Sequence, residues 1–490
     1  MIERRFHRSR TVACPRAALA VTVVLAALAA GCGDAPRATP VDPAAARGPV
    51  GMLSHEGRWF TDATGRVVLL HGTNFVQKFP PIPPADAGFD EDDAAYLAEQ
   101  GFNVVRLGAV FGAIMPEPGR IDRAYVDSVV GTARLLARHG IYVQLDFHQD
   151  GYGPYTHGNG FPEWATLTDG LPNPPDPFPT YYVTNPAMQR AFDSFWENRP
   201  GPDGVPLQEH YAAAVRAVAT TAADEPLVLG YDLMNEPWPG TEYEACFTGC
   251  PEIEQARLGA FGERMTAAIR AVDPVHFVFS EPWVLFNFGR TATALSGIGA
   301  PASALSFHVY AATPELDEGV VENGIAASAR GDAILITEFG ATGNVATIER
   351  LTDAFDVRLV PWVFWTWDEH MIRDTRRPPT PDNVHQDVVA ALARPYASAT
   401  NGTPESFSYD PPTRTLDYAW RTTRPDGSAA PDALPTTIVL PPAAYGAGWT
   451  AEANGGRVLS GPCARVLAVV NDPGAVRVEV RVAADSGCAG

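Results

Sequence analysis

Tyr231-Asp232-Leu233-Met234-Asn235-Glu236-Pro237-Trp238 is the stretch on which the fold turns. The apolar run Pro226-Leu227-Val228-Leu229-Gly230-Tyr231 leads into it, and Pro237 ends the strand because proline cannot donate to a ladder. A buried strand that delivers an amide and a carboxylate at its C-terminal end points to a parallel barrel with its chemistry at the strand ends. About a hundred residues later the pattern recurs as Ala333-Ile334-Leu335-Ile336-Thr337-Glu338-Phe339-Gly340. One strand–helix unit takes roughly 30 residues or a little more, so Glu236 and Glu338 stand about three units apart. Around an eight-fold ring that spacing aims two carboxylates across one pocket. The pattern predicts a paired-carboxylate hydrolase.

Working outward, further strands follow in order. Val67 to Gly72, Val104 to Leu107 and Ile141 to Phe147 precede the Glu236 strand; Phe277 to Ser280 and Leu305 to Tyr310 come after it, and Leu359 to Trp365 follows the Glu338 strand. Helical segments lie between them. One runs from Asp92 to Gln100 with acids in its first turn, and another carries Val126, Val129, Val130, Ala133 and Leu136 at helical spacing before Gly140. Eight strands alternating with helices make a (β/α)8 TIM barrel over residues 52–394, in the α/β class. Between His148-Gln149-Asp150 and the next strand lies a loop dense in Gly, Pro and aromatics (Tyr152, Tyr155, Phe161, Trp164), long enough to form a wall of the site. Past Arg394 helical periodicity stops. Short β-rich runs such as Thr437 to Leu440, Val466 to Val470 and Val476 to Val480 alternate with turns, which predicts a C-terminal antiparallel β-sandwich over 395–490.

The net charge of −21 excludes nucleic acid as a partner, since phosphate binding needs a basic patch. Residues 1–32 are set aside from the fold: Arg4, Arg5, Arg8 and Arg10 precede the apolar stretch Ala17 to Ala30. Leu28-Ala29-Ala30-Gly31-Cys32 resembles a lipobox with Cys32 as the acylated residue, and a plain secretory signal is the alternative. Either reading sends the protein out of the cell, secreted or anchored at Cys32 as a surface lipoprotein. Residues 33–51, rich in Ala, Pro and Gly, form a flexible tether. Export makes Cys246 with Cys250, and Cys463 with Cys488, two local disulfides. A metal site at the first pair would need a histidine nearby, and none is close in sequence.

Asn235-Glu236-Pro237, Glu338, Arg106 and His308-Val309-Tyr310, each at a strand end and in this order, together resemble glycoside hydrolase family 5. His148-Gln149-Asp150, Gly158-Asn159-Gly160, Ala191 to Trp196 and Tyr231 to Pro237 resemble, more narrowly, the endoglycoceramidases. His71-Gly72-Thr73-Asn74 and Trp365 to His370 depart from those relatives, which bears on the preferred glycan. The resemblance implies a retaining endo-acting glycosidase that cuts between glycan and ceramide in glycosphingolipids. It makes Glu338 the nucleophile and Glu236 the acid/base. Arg106 and Tyr310 would stabilise the nucleophile's charge, and Asn235 would serve the sugar 2-hydroxyl. His148 and His308 would be hydrogen bonders of the site, and Trp365 would stack under the reacting sugar. Lys78, Asp150 and Trp196 resemble residues that contact the glycan; taken bare, Lys78 is a surface lysine and Trp196 a helix core residue. No metal, nucleotide or flavin motif is present, and the chemistry needs no cofactor. Retention requires the two carboxyl groups about 5 Å apart, and the charge of Glu338 is expected to raise the pKa of Glu236. A β-glucosylceramidase, a soluble β-glucanase or mannanase, and a non-catalytic glycolipid-binding lipoprotein are the competing readings.

After the fifth strand, Pro282-Trp283-Val284-Leu285-Phe286-Asn287-Phe288 sets large apolar residues where a barrel presents its active face, joined by Phe75, Phe79 and Ile82 after the first strand. If exposed they would form a patch suited to ceramide or a membrane surface; the alternative is that they pack against neighbouring loops.

Overall fold

The computed structural model describes residues 48–78, 83–289 and 291–488. Cys32 with the leader before it, most of the tether, Phe79 and Ile82 lie outside those residues. Eight parallel strands close into a barrel: β1 His71–Phe75, β2 Val104–Ala109, β3 Tyr142–Phe147, β4 Val228–Asp232, β5 Phe277–Ser280, β6 Ser303–Val309, β7 Ala333–Phe339 and β8 Trp362–Phe364. They pair in chain order, and β8 returns to β1 through Trp362 opposite His71 and Phe364 opposite Thr73. Every residue of these strands is buried, as expected of a parallel sheet covered on both faces. At Gly72 a Cβ would lie 1.8 Å from the Val104 carbonyl oxygen, so only glycine lets β1 close on β2.

The outer helices follow their local signals. Glu91–Glu99 is capped by Asp90 in a reciprocal capping box with Asp93. Arg123–Arg138 is capped by Asp122, which accepts from the Tyr125 N–H, and buries Val126, Val129, Val130, Ala133 and Leu136. The alternation is not complete. Between β5 and β6 the described residues hold the 3₁₀ turn Val284–Phe288 in place of a full helix.

Two expectations are corrected at the barrel floor. Val67-Val68 is not barrel strand: it pairs antiparallel with Phe60 and Thr61 on one side and with Ala399 and Thr400 on the other. The last barrel strand is also shorter than Leu359 to Trp365, because Leu359 turns away at φ 55° and packs into the second core.

That second core belongs to the antiparallel sandwich. One sheet runs in the order Ser54–Glu56, Trp59–Thr61, Val67–Val68, Tyr396–Thr400, Thr436–Val439, Val466–Asn471, Gly456–Val458. The other runs Thr403–Asp410, Thr415–Arg421, Arg477–Ala484, Trp449–Asn454. Leu416, Tyr418, Trp420, Ile438, Leu467, Val469, Val478 and Val480 fill the space between. The sandwich is therefore not confined to residues after 394, since three strands between residues 54 and 68 extend one sheet. Such strands are too short to be told from barrel strands by periodicity. His71 stacks between Trp362 at 4.2 Å and Tyr396 at 4.0 Å, tying barrel floor to sandwich. Both expected disulfides form: Cys246–Cys250, with Cα atoms 4.7 Å apart, and Cys463–Cys488, at 5.8 Å.

Candidate active site

A fully buried guanidinium organises the C-terminal mouth of the barrel. Arg106 of β2 reaches across the interior to five side chains from four other strands or their ends. Nη1 donates to Asn74 Oδ1 at 3.2 Å and to Glu338 Oε1 at 2.7 Å; Nη2 donates to Asn235 Oδ1 at 2.9 Å; Nε and Nη2 both donate to Asp232 Oδ2. Asp146 Oδ1 lies 2.9 Å from Nη2. One cation thus faces three carboxylates. Burial pushes Asp232 up to about 7, with the neighbouring Asp146 adding to the rise against the pull of Arg106. Asp146 is lowered: burial opposes this, but Arg106 and His148 outweigh it. Asp232 can therefore take up a proton while Asp146 and Glu338 share the guanidinium.

Glu338 at the end of β7 is held from both sides, by Arg106 and by the Tyr310 hydroxyl, which donates to Oε2 at 3.1 Å. Glu236 follows β4 at φ 41°, a left-handed backbone that a non-glycine residue rarely adopts. Its carboxyl Oε1 meets two neighbours, Asn287 Nδ2 at 3.2 Å and His308 Nδ1 at 2.8 Å. The same Nδ1 lies 3.5 Å from Glu338 Oε2. The two glutamate oxygens cannot be farther apart than these last two contacts laid end to end. That limit falls below the roughly 6.5–9.5 Å inversion requires.

Glu236 is raised to about 7, first by burial and then by the charge of Asp150; Lys78 and Asn287 pull the other way. The charge of Glu338, expected to raise this pKa, is not among its leading causes. Removal from water dominates, because the carboxyl is only 7% exposed. His308 is driven down to about 3, chiefly by burial, so its ring is neutral.

His148, Asp150, Lys78 and Trp365 form a second cluster beyond the ends of β3, β1 and β8. His148 Nδ1 lies 2.7 Å from Asp146 Oδ2, and its ring stacks on Trp365 at 5.5 Å. Burial opposes its charge, but Asp146 and Asp150 outweigh it and hold the imidazole up at about 9. Lys78 Nζ donates to Asp150 Oδ2 at 2.9 Å and sits 4.2 Å over the Trp365 ring. Asn159 also donates to Asp150 Oδ2, at 2.8 Å. Trp196 stands apart. It is a buried helix residue whose indole N–H donates to the Trp238 carbonyl, so it supports the loop beyond Glu236. Gly240 in that loop, at φ 78°, leaves room for Asp193, which accepts from the Thr241 N–H and hydroxyl.

Asn74, Asp146, Gln149, Asp232, Glu281 and Asn287 were not singled out from the sequence. Gln149 Nε2 donates to the carbonyls of Asn235 and Glu236, and Asn287 Oδ1 accepts from the His308 N–H. Polar residues ending otherwise apolar strands, such as Asp146 and Asp232, were the available signal. Glu236, Glu281 and His308 are close enough to suggest a metal ion, but the carboxylates contact opposite ring nitrogens, Nδ1 and Nε2. His308 thus links the two carboxyl groups in series.

The apolar segment after β5 is a correction. Phe75, Trp283, Leu285 and Phe286 are buried: Trp283 packs edge-on against Trp196 at 5.4 Å and Phe286 against Phe307 at 5.7 Å. Leu285 and Phe286 turn inward within the 3₁₀ turn, with Trp283 at its N-cap. Phe288, the last residue of that run, does stay exposed, and further exposed aromatics occur at Tyr155, Phe178 and Phe247. A run of ring contacts joins Phe178 to Phe247 through Tyr181, Tyr182, Trp238 and Tyr243, each step between 4.9 and 5.8 Å.

Residues 62–371 match the family described as Cellulase (glycosyl hydrolase family 5), and residues 394–482 match the Glycoside hydrolase family 5 C-terminal domain. Endoglycoceramidase I of Rhodococcus hoagii is 32% identical over 458 residues, 88% of each chain. The solved lactosyl-enzyme intermediate of endo-glycoceramidase II from Rhodococcus sp. is similar at 30% identity and a TM-score of 0.70, over 87% of this chain and 99% of that one. The complex of that enzyme with ganglioside GM3 is similar at 29% identity and a TM-score of 0.70, over the same shares.

Proposed function

The chain belongs to glycoside hydrolase family 5, and from that premise we propose that it is a retaining, endo-acting glycosidase that cleaves the β-linkage between glycan and ceramide in glycosphingolipids. The observation that carries the mechanism is the single His308 nitrogen placed against both glutamates, 2.8 Å from one and 3.5 Å from the other. Carboxyl groups that close suit double displacement. Glu338 attacks the anomeric carbon while Glu236 gives its proton to the departing ceramide oxygen. The ester then hydrolyses as Glu236 takes a proton from water. Arg106 and Tyr310 orient the nucleophile. A proton held on Glu236 to about pH 7 is what an acid facing a poor alkoxide leaving group needs. Lys78, Asp150, His148 and Trp365 form the wall on which the glycan lies.

A membrane surface is part of the same reading. The aromatic ridge from Phe178 to Phe247 begins in the loop after β3, passes two residues beyond Glu236, and shows its ends to solvent. Burying each such ring is worth roughly 1.5–3 kcal/mol, enough to hold the mouth of the barrel against lipid. Export, with or without acylation of Cys32, is supported by the two disulfides. Incubation with a ganglioside, lactosylceramide, glucosylceramide and a soluble β-glucan, with mass analysis of products, tests the whole. Intact oligosaccharide plus ceramide is expected from the first two; glucose from glucosylceramide alone, or cleavage of the glucan alone, would overturn the endo-acting assignment.

A further inference from the structure

Glu281, one residue past β5, is a buried carboxyl that the two-glutamate mechanism does not use. Its Oε2 accepts from the Glu236 backbone N–H at 3.0 Å. That bond pins the acid/base residue in its left-handed backbone conformation. Its Oε1 lies 3.2 Å from His308 Nε2, a contact and not an aligned hydrogen bond, and neither atom has a hydrogen-bond partner elsewhere among the described residues. Two buried polar atoms facing each other with no other partner require one proton between them.

On which side that proton sits decides where the catalytic proton goes. If it is on Nε2, the neutral ring presents a bare Nδ1 to Glu236 Oε1, and the proton of Glu236 is drawn towards the histidine. If it is on Glu281, Nδ1 carries the ring proton and donates to Oε1. That oxygen already faces the amide of Asn287. With both of its contacts donating, Oε1 is filled, and the acid proton of Glu236 must sit on Oε2. Only the second arrangement also turns an N–H, and not a lone pair, towards Glu338 Oε2, which lies 3.5 Å from Nδ1.

We propose that Glu281 is a positioning residue that, as a neutral carboxylic acid, fixes the His308 tautomer and so places the catalytic proton on Glu236 Oε2. The environment agrees. Burial above all pushes Glu281 well above the usual carboxyl range, Asp232 adding to the rise when ionised and Arg106 opposing it, while His308 is kept neutral. The inference rests on the retaining-glycosidase reading for its kinetic consequence, but the tautomer is observable without turnover.

Glutamine copies a protonated glutamate: it accepts from the Glu236 N–H and donates to Nε2. Glu281→Gln is therefore expected to stay within about 3-fold of the unmodified enzyme. Glu281→Leu removes both contacts and should lower kcat/KM for a glycoside with an alkyl leaving group by about 10²-fold or more, the scale of lost acid catalysis. On the 2,4-dinitrophenyl glycoside of the same sugar, whose leaving group needs no proton, the loss should stay below about 10-fold. Equal losses of Gln and Leu variants, or equal losses on both leaving groups, would overturn the proposal. Independently, ¹⁵N-histidine spectra of the unmodified protein, with His308 assigned through His308→Gln, should show Nδ1 protonated and Nε2 bare. A proton on Nε2 overturns the proposal even if the chain hydrolyses no glycoside, an outcome that would separately refute the functional reading.

Discussion

Replacing Glu236 with glutamine should remove a pH-dependent loss of stability of about 3 kcal/mol. The folded protein holds the Glu236 proton to about pH 7, against 4.5 for the ordinary side chain. Each pH unit between those values is worth about 1.36 kcal/mol, and the carboxyl is too deeply buried for solvent to screen much of it. The direction follows from proton counts. Below pH 4.5 both folded and unfolded chains are protonated. Between 4.5 and 7 the unfolded chain has ionised while the folded one has not, so stability falls as pH rises; above 7 the loss is complete. Glutamine keeps the shape and the acceptor for Asn287 and His308, but does not titrate. Denaturant unfolding of both proteins at half-unit steps from pH 4.5 to 7.5 gives the assay. The stability of Glu236→Gln minus that of the parent should grow by about 3 kcal/mol over the range. Parallel curves would refute the claim that burial holds this proton. The alkaline limb of kcat/KM for an alkyl glycoside should fall near pH 7, since the same proton serves the leaving group.

Glu338→Gln should abolish turnover with the fold retained, and a 2-fluoro glycosyl inactivator should label the peptide containing Glu338; a label on Glu236 would reverse the two roles. Trp283→Ala or Phe286→Ala is expected to cost about 3–5 kcal/mol of stability and to depress activity on lipid and soluble substrates alike, because both side chains are core; a selective loss on ceramide glycosides would contradict their burial. Phe178→Ser with Phe247→Ser should weaken sedimentation with glycolipid-bearing vesicles while leaving aryl glycoside hydrolysis within about 2-fold, each exposed ring being worth about 1.5–3 kcal/mol when buried. Cys463→Ser should lower stability by about 3 kcal/mol and Cys246→Ser by less, because the first disulfide closes 25 residues and the second 4; the reverse order in unfolding experiments would count against the loop-entropy account.

The sequence by itself determined the barrel, because the strand ends announce themselves: an apolar run closed by Asn235-Glu236-Pro237 or by Glu338-Phe339-Gly340 is legible without any contact. It determined both disulfides for the same reason, since each pair is local. Through the family resemblance it also brought Arg106, His308 and Tyr310 to the site, at the second and sixth strands. What it could not decide depended on where a side chain points or what pairs with it at a distance. Val67-Val68 has the composition of a barrel strand, and only its partners at residues 60–61 and 399–400 assign it to the sandwich. Trp283 and Phe286 have the composition of a lipid surface, and only the inward turn of their 3₁₀ segment makes them core. Glu281 carries no motif. Its place in the chain Glu236–His308–Glu281 arises because the barrel closes three strand ends around one imidazole, and hydrogen-bond geometry at that scale is a property of closure, not of local sequence. The pKa of Glu236 shows the same division: the carboxyl could be named from the sequence, but its proton is held chiefly by burial, which only the tertiary structure supplies.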